Sequence, residues 1–150
     1  MPTANLDLEY VNGSDYIDPE AFNRNADKID PLGKCYVVSS GKTGEWRWKK
    51  WSDGTAECWI DDKAFPSQGL SAWGNMYATQ KMSFGAYPFA FKSRPFASIA
   101  INSCTNSTHC SFVAQQTTES TTQSPSFVLC DPNNTSIGNP HFGISVKGDV

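Results

Sequence analysis

The chain has 150 residues, which suffices for one domain with a real hydrophobic core and leaves little room for a second. Charged residues make up 18% of the chain, and twelve basic against fifteen acidic side chains give a formal net charge of -3, which argues against nucleic-acid binding. Ser, Thr and Asn are abundant where a helical protein would carry Glu, Lys and Leu, so we expect an all-β protein.

Hydropathy and the N-terminus bear on cellular location. No stretch approaches the roughly 18 apolar residues of a membrane span. The opening "MPTANLDLEY" has neither the basic nor the apolar segment of a signal peptide. We therefore expect a soluble protein that is not exported by the general secretory route and does not insert into a membrane.

The cysteine count is odd, which together with the missing leader predicts free and mostly buried thiols. A loop disulfide between Cys104 and Cys110, or a structural metal there with His109, is the alternative. That cluster lacks the paired CxxC spacing of a strong zinc site, so no metal and no cofactor are expected. The five cysteines are Cys35, Cys58, Cys104, Cys110 and Cys130.

Residues 1–33 predict an N-terminal segment with one short helix. Pro19 suits the first helical position, and the spacing then places Phe22 and Ile29 on one face with Asn25 between them. Such a short helix needs a partner surface, and a polar residue within an apolar stripe can set the register of an oligomer. We expect Phe22, Asn25 and Ile29 at an oligomer interface, unless Asn25 merely faces water.

Residues 34–150 predict a β-sandwich or jelly-roll-like knob. Strand-like runs alternate with Gly, Pro, Asn and Ser clusters, with no helical pattern between them. The polar stretch "QQTTESTTQS", residues 115–124, predicts an exposed loop or hairpin tip. The eight runs are "CYVVSS", "EWRWKKW", "TAECWI", "MYATQKMSF", "FASIAIN", "CSFVAQQ", "SFVLC" and "FGISVKG".

The stretch "WRWKKWSDGTAECW", residues 46–59, contains four of the five tryptophans, and its Asp-Gly pair predicts a β-hairpin. A two-residue turn would set Trp48 opposite Trp59 on one face and turn Trp51 towards Ala56, which favours core packing for Trp51. A three-residue turn would set Lys49 against Glu57 instead. Both registers match opposite charges, so the pattern leaves them open.

The chain offers little sign of catalysis. Neither His109 nor His141 lies in a recognised catalytic context, and the pair Asp61-Asp62 looks like solvated residues at a strand end. Two carboxylates brought together from distant positions could form a glycosidase pair, but nothing in the sequence favours one. We do not expect an enzyme.

The run "LEYVNGSDYIDPEAFNRNADKIDPLG", followed by "SSGKTGEWRWKKWSDGTAECW", resembles small tail-fibre and receptor-binding proteins from phages and prophages of Gram-positive gut bacteria. "YPFAF" and "HFGISVKG" are similar to the terminal knob of such fibres. The resemblance implies a homotrimeric β-sandwich head in a virion, made in the cytoplasm of the bacterial host. It would be attached to other tail proteins and recognise a host surface glycan or protein. It carries over no catalytic residues. A purely structural baseplate, head-fibre or decoration protein is the alternative.

Two kinds of side chain are candidates for ligand binding. Aromatic rings stack on sugar faces, which points to the hairpin tryptophans Trp48 and Trp59. Short polar side chains on loops can hydrogen-bond to sugar hydroxyls. We therefore expect part of the binding surface in segments 102–111 and 115–124, with Asn106, Gln115, Gln116 and Thr117 as the contacting residues.

Overall fold

The computed structural model describes residues 24–26, 35–105, 112–116 and 120–150. The described residues form ten β-strands in two antiparallel sheets, so the predicted all-β sandwich is confirmed. The strands are β1 (Val37–Thr43), β2 (Trp46–Trp51), β3 (Thr55–Ala64), β4 (Ser71–Trp73), β5 (Met76–Ala78), β6 (Met82–Ser83), β7 (Phe96–Thr105), β8 (Phe112–Gln116), β9 (Ser126–Asp131) and β10 (Gly138–Asp149).

The first sheet has the strand order β1-β2-β3-β10-β7. Successive side chains of a strand point to opposite faces, so alternating apolar residues bury one face only. In β3 the buried set is Ala56, Cys58 and Ile60, and in β10 it includes Ile144 and Val146. The other face of this sheet, which we call the outer face, is open to solvent.

The second sheet is built around β9, whose short apolar run is buried almost throughout. Along one edge β9 pairs with β8, and along the other it pairs with β5 and β6 in turn. Phe127 and Leu129 join the core between the sheets, whereas Val128 and Cys130 form a smaller cluster with Ala78 on the opposite face.

Aromatic rings fill the space between the two sheets. Phe127 and Phe142 are fully buried, with ring centroids 4.8 Å apart in an edge-to-face arrangement. Phe65 packs edge-on against both of them. Trp46 is buried edge-on against Tyr87, with ring centroids 5.6 Å apart. Each such pair adds about 0.5–1.5 kcal/mol beyond the area it buries.

The tryptophan-rich hairpin is present, with the three-residue turn. Lys49 lies opposite Glu57, and the amide of Gly54 donates to the carbonyl of Trp51 at 3.2 Å. Gly54 has a φ of 84°, the left-handed conformation that closes a three-residue loop of this kind. Asp53 fixes the turn by accepting hydrogen bonds from the amide and the hydroxyl of Thr55.

This register corrects the two-residue alternative. Trp48 lies opposite Cys58 on the core-facing side, whereas Trp59 lies opposite Arg47 on the outer face, so the two indoles do not share a face. The core position expected for Trp51 is also wrong. Trp51 is half-exposed on the outer face, because the shifted register exchanges the faces of β2 relative to β3.

Other predicted boundaries also change. β1 continues through "GKT", which lay between two predicted strand-like runs, because it pairs with β2 up to Thr43. The run "MYATQKMSF" divides into β5 and β6, and β4 was not predicted. The stretch 115–124 is not all loop. Gln115 and Gln116 belong to β8, and Ser124 is buried with its hydroxyl accepting from the Phe84 amide at 3.0 Å.

The predicted N-terminal helix and thiols are described in part. Residues 24–26 are helical, and Asn25 is half-buried. Phe22 and Ile29 lie outside the described residues, so the interface expected there stays a prediction. Cys35, Cys58, Cys104 and Cys130 are free thiols, and Cys110 lies outside the described residues.

Candidate functional site

A shallow groove runs across the outer face of the first sheet, with a volume of about 340 Å³. It crosses β3, β10 and β7, where Trp59, Ser145 and Ser98 are consecutive partners across the three strands. Small residues on β10 and β7 leave a trough beside the indole of Trp59, the largest side chain that lines it. The lining residues are Trp59, Ile60, Asp61, Ser98, Ala100, Asn102, Gly143, Ile144 and Ser145.

The indole of Trp59 lies between the groove and the side chain of Lys49. The ammonium group of Lys49 lies 5.6 Å from the centroid of the Trp59 ring, a distance at which a cation and an indole attract each other. Lys49 belongs to β2, on one side of β3, and the groove extends over β10 on the other side. The contact helps to hold the indole at the edge of the trough.

Two β-bulges shape the far end of the groove. On β3, Asp61 and Asp62 together oppose the single residue Gly143 of β10. On β7, Asn102 is an extra residue between the positions that pair with Phe142 and His141. Bulges bend a strand locally and redirect its side chains. Here they bring an amide and two carboxylates to one place.

Asn102 links the two bulges through its side-chain amide. Its Nδ2 donates to the carbonyl oxygen of Asp61 at 2.8 Å and to Oδ1 of Asp62 at 2.7 Å. His141 Nδ1 lies 2.8 Å from the other carboxylate oxygen of Asp62. The hydrogen bonds from Asn102 and then from His141 stabilise the ionised carboxylate and lower the pKa of Asp62.

An ion pair borders the groove on the β2 side. Arg47 Nη1 lies 3.3 Å from Oδ2 of Asp61, and both side chains are exposed, so the pair contributes little to stability. A second hollow of about 310 Å³ lies next to it and shares Ile60 and Asp61 with the first. The lining residues of this second hollow are Lys42, Glu45, Arg47, Ile60, Asp61 and Asp62.

The predicted binding residues are dispersed. Trp59 lines the groove. Trp48 is half-buried on the core-facing side, where it packs edge-on against Phe89 and its indole N–H donates to Thr43 at 3.1 Å. Gln115 and Gln116 pair with β9 in the second sheet. Asn106 and Thr117 lie outside the described residues.

Sequence reasoning missed most of the groove. Asn102 falls within the polar segment 102–111 that was expected to form part of the binding surface, which was the one available signal. Asp61 and Asp62 were assigned to a solvated strand end, but β3 continues to Ala64 and carries both of them. Ser98 and Ser145 gave no signal, because isolated serines in strands are common.

The groove offers hydrogen-bonding groups and an aromatic surface. Among the described residues, no three His, Cys, Asp or Glu side chains are grouped closely enough to hold a metal ion. The described part of the chain also contains no helix with the length and hydropathy needed to cross a membrane.

Comparison with known proteins gives one structural likeness. No protein-family model matches the chain, and no curated protein matches it. A fragment of the P. aeruginosa R1 pyocin fibre that comprises C-terminal residues is similar to 93% of this chain at 15% identity, with a TM-score of 0.49. The chain spans 39% of that fragment. The likeness is too low to establish a shared fold.

Proposed function

We propose that the chain is the head of a phage tail fibre and attaches the virion to a carbohydrate on the bacterial surface. Two independent observations support this proposal. The motifs around the hairpin resemble those of tail-fibre and receptor-binding proteins. The outer face of the first sheet carries a groove that combines an indole with hydroxyl and amide groups.

The observation that carries the proposal is the position of Trp59 beside the trough formed by β10 and β7. A sugar ring has an apolar C–H face that stacks on an indole and a rim of hydroxyls that need hydrogen-bonding partners. Ser98, Ser145 and Asn102 can supply those partners. The volume of about 340 Å³ falls at the lower end of the range for small-molecule sites.

The resemblance adds proposals about assembly. We infer a homotrimer that joins other tail proteins in the virion, with Phe22, Asn25 and Ile29 at the interface between subunits. Apolar side chains also remain exposed at the two edge strands of the first sheet, among them Val38 on β1 and Phe96 on β7. Such side chains are available for contacts with neighbouring proteins.

The same exposed edges favour a second candidate, a structural virion component without a host ligand. In that case Val38 and Phe96 would be covered by neighbouring virion proteins, and the groove would have no ligand. Both candidates use the same fold. They differ in whether the isolated protein binds cells.

The test is attachment of the fluorescently labelled full chain to bacterial cells and to their isolated wall polysaccharide. The motifs suggest a Gram-positive host, so the cells should include Gram-positive and Gram-negative species. We expect Trp59→Ala to reduce binding at least about tenfold, since stacking on aromatic residues and hydrogen bonding act together. Trp73→Ala is the matched control, because Trp73 is 48% exposed on β4 of the other sheet.

The results of this binding test distinguish a receptor-binding head from a structural virion component. Strong binding by the wild-type chain and by Trp73→Ala, with loss in Trp59→Ala, supports attachment through the groove. Absence of binding to every cell type would favour the structural role. Release of reducing ends from the bound polysaccharide would identify an enzyme instead, and we expect none.

A further inference from the structure

The amide of Asn102 is held in one orientation. Its Nδ2 donates to two oxygens, the carbonyl of Asp61 and the carboxylate of Asp62, and neither oxygen can act as a donor. Turning the amide over would place its Oδ1 against these acceptors. The group that Asn102 offers to a ligand is therefore an acceptor.

That acceptor lies over the floor of the groove. A Cβ atom added to Gly143 would come within 3.5 Å of Asn102 Oδ1 and within 2.8 Å of the Asp61 carbonyl oxygen. The contact between Asn102 and Asp61 therefore closes the space directly above Gly143, and both oxygens lie at this end of the groove. A ligand at this end of the groove meets acceptors, so it must bring hydrogen-bond donors.

The charges at the groove also disfavour an acidic ligand. Its described lining residues include the acidic residue Asp61 and no basic residue. Arg47 pairs with the carboxylate of Asp61 from the β2 side. An acidic ligand at this end of the groove would lie next to Asp61 and close to Asp62, without a cation among the lining residues to balance it, and like charges in contact are strongly unfavourable.

We propose that the groove selects an uncharged saccharide, which donates hydroxyl or amide hydrogens to Asn102 Oδ1 and Asp61, and that it rejects acidic saccharides. This inference rests on the proposed function, because it assumes that the groove binds carbohydrate. Asn102 and Asp61 contact the ligand. Asp62 and His141 are positioning residues that act through Asn102.

The first experiment measures selectivity with defined probes. The full chain is tested against immobilised neutral hexose and N-acetylhexosamine oligosaccharides and against the same oligosaccharides after sulfation. We expect at least about tenfold tighter binding to the neutral member of each pair that is bound. Asp61→Asn removes the carboxylate and frees Arg47, so it should narrow or reverse that preference.

Glu57→Gln is the matched control for Asp61→Asn. Glu57 lies on the outer face of the same strand and does not line the groove, so its loss removes one negative charge without changing the site. We expect the ratio of the affinities for neutral and sulfated oligosaccharides to be the same in Glu57→Gln as in the wild-type chain. An equal change in both variants would mean that net charge sets the ratio, which would overturn the role of Asp61.

The second experiment tests positioning. Asp62→Asn keeps an oxygen that accepts from Asn102, whereas Asp62→Ala removes it. We expect binding of the neutral oligosaccharide to fall about three- to tenfold in Asp62→Ala and to be largely retained in Asp62→Asn. Thermal unfolding checks that both variants are folded. Equal binding by the two variants would overturn the positioning role.

Failure of this inference can be told apart from failure of the proposed function. If the wild-type chain binds sulfated probes as tightly as neutral ones, and Trp59→Ala abolishes both, the groove binds carbohydrate but the selectivity is wrong. If Trp59→Ala leaves all binding intact, the proposed site itself is wrong. Binding of no saccharide in the panel overturns both.

Discussion

Asn102 on β7 reaches across β10 to the backbone of Asp61 on β3, with its Nδ2 2.8 Å from the carbonyl oxygen. The two residues are 41 positions apart in sequence. The contact passes over Gly143, where any side chain would meet the Asp61 carbonyl oxygen at 2.8 Å. The absence of a Cβ on β10 is therefore what allows two non-adjacent strands to be joined above the sheet.

Gly143→Ala should destabilise the fold. The added methyl group meets backbone, which cannot move aside as a flexible side chain can, so we expect a loss of about 1–3 kcal/mol in the free energy of unfolding. Gly69→Ala is the control, since nothing lies within 4 Å of a Cβ there. It should change stability by less than about 0.5 kcal/mol. Urea unfolding measures both variants, and equal stabilities would contradict the crowding at Gly143.

The aromatic core gives a second prediction. Phe142 is fully buried against Phe65 and Phe127, so Phe142→Ala should lower the free energy of unfolding by about 3–5 kcal/mol. Phe96 is 74% exposed, and Phe96→Ala should stay within about 0.5 kcal/mol of the wild-type chain. Chemical denaturation distinguishes the two. A loss below about 1 kcal/mol for Phe142→Ala would mean that the core repacks around the cavity.

Strands with a clear local pattern could be predicted from the sequence. "TAECWI" and "FGISVKG" alternate apolar and polar residues, and they form parts of β3 and β10 as expected. The hairpin register could not be predicted, because both registers match opposite charges. It follows the turn that forms, in which Asp53 accepts hydrogen bonds from Thr55 and Gly54 alone of the three loop residues has a positive φ, whereas a two-residue turn needs a positive φ at Asp53 as well.

The groove could not be predicted for a different reason. Its parts come from strands that are distant in sequence and become neighbours only when β10 inserts between β3 and β7. Asn102 and Gly143 carry no local signal for this contact. The bulges that align them arise from the pairing of those strands, which a single sequence does not reveal.

Buried thiols should resist modification in the folded protein. Cys58 is fully buried, and burial raises its pKa to about 12, so the reactive thiolate is scarce near neutral pH. Burial also raises the pKa of Cys130. We expect a thiol reagent to leave both unlabelled in the native chain and to label all five cysteines after denaturation. Peptide mass spectrometry locates the label, and rapid native labelling of Cys58 would contradict its burial.

The pKa of Asp62 predicts a pH dependence of stability. Because its pKa is lower in the folded state, its contribution is fully present above the unfolded value of about 3.9 and is lost as the pH falls from there through the folded pKa. In that window the unfolded state binds more protons, so stability decreases with acidification. Asp62→Asn cannot titrate at this position, so its free energy of unfolding should depend less steeply on pH in that window. Urea unfolding at each pH measures this dependence. Glu57→Gln is the control, because it keeps the Asp62 contribution. An unchanged pH dependence of the free energy of unfolding in Asp62→Asn would contradict the lowered pKa of Asp62.

The sequence and the fibre resemblance together predict a trimer. A helix of about a dozen residues has little intrinsic stability, so its apolar stripe needs a partner surface. Three copies of Phe22 packed around an axis would each contribute about 1.5–3 kcal/mol. We expect a trimer by light scattering, and dissociation or misassembly of Phe22→Asp, with the β-sheet signal in far-UV circular dichroism retained. Trp73→Asp is the control, because it places the same charge at an exposed aromatic residue on β4 of the second sheet. A wild-type monomer at micromolar concentration would refute the trimer, and an intact Phe22→Asp trimer would assign assembly to the β-sandwich alone.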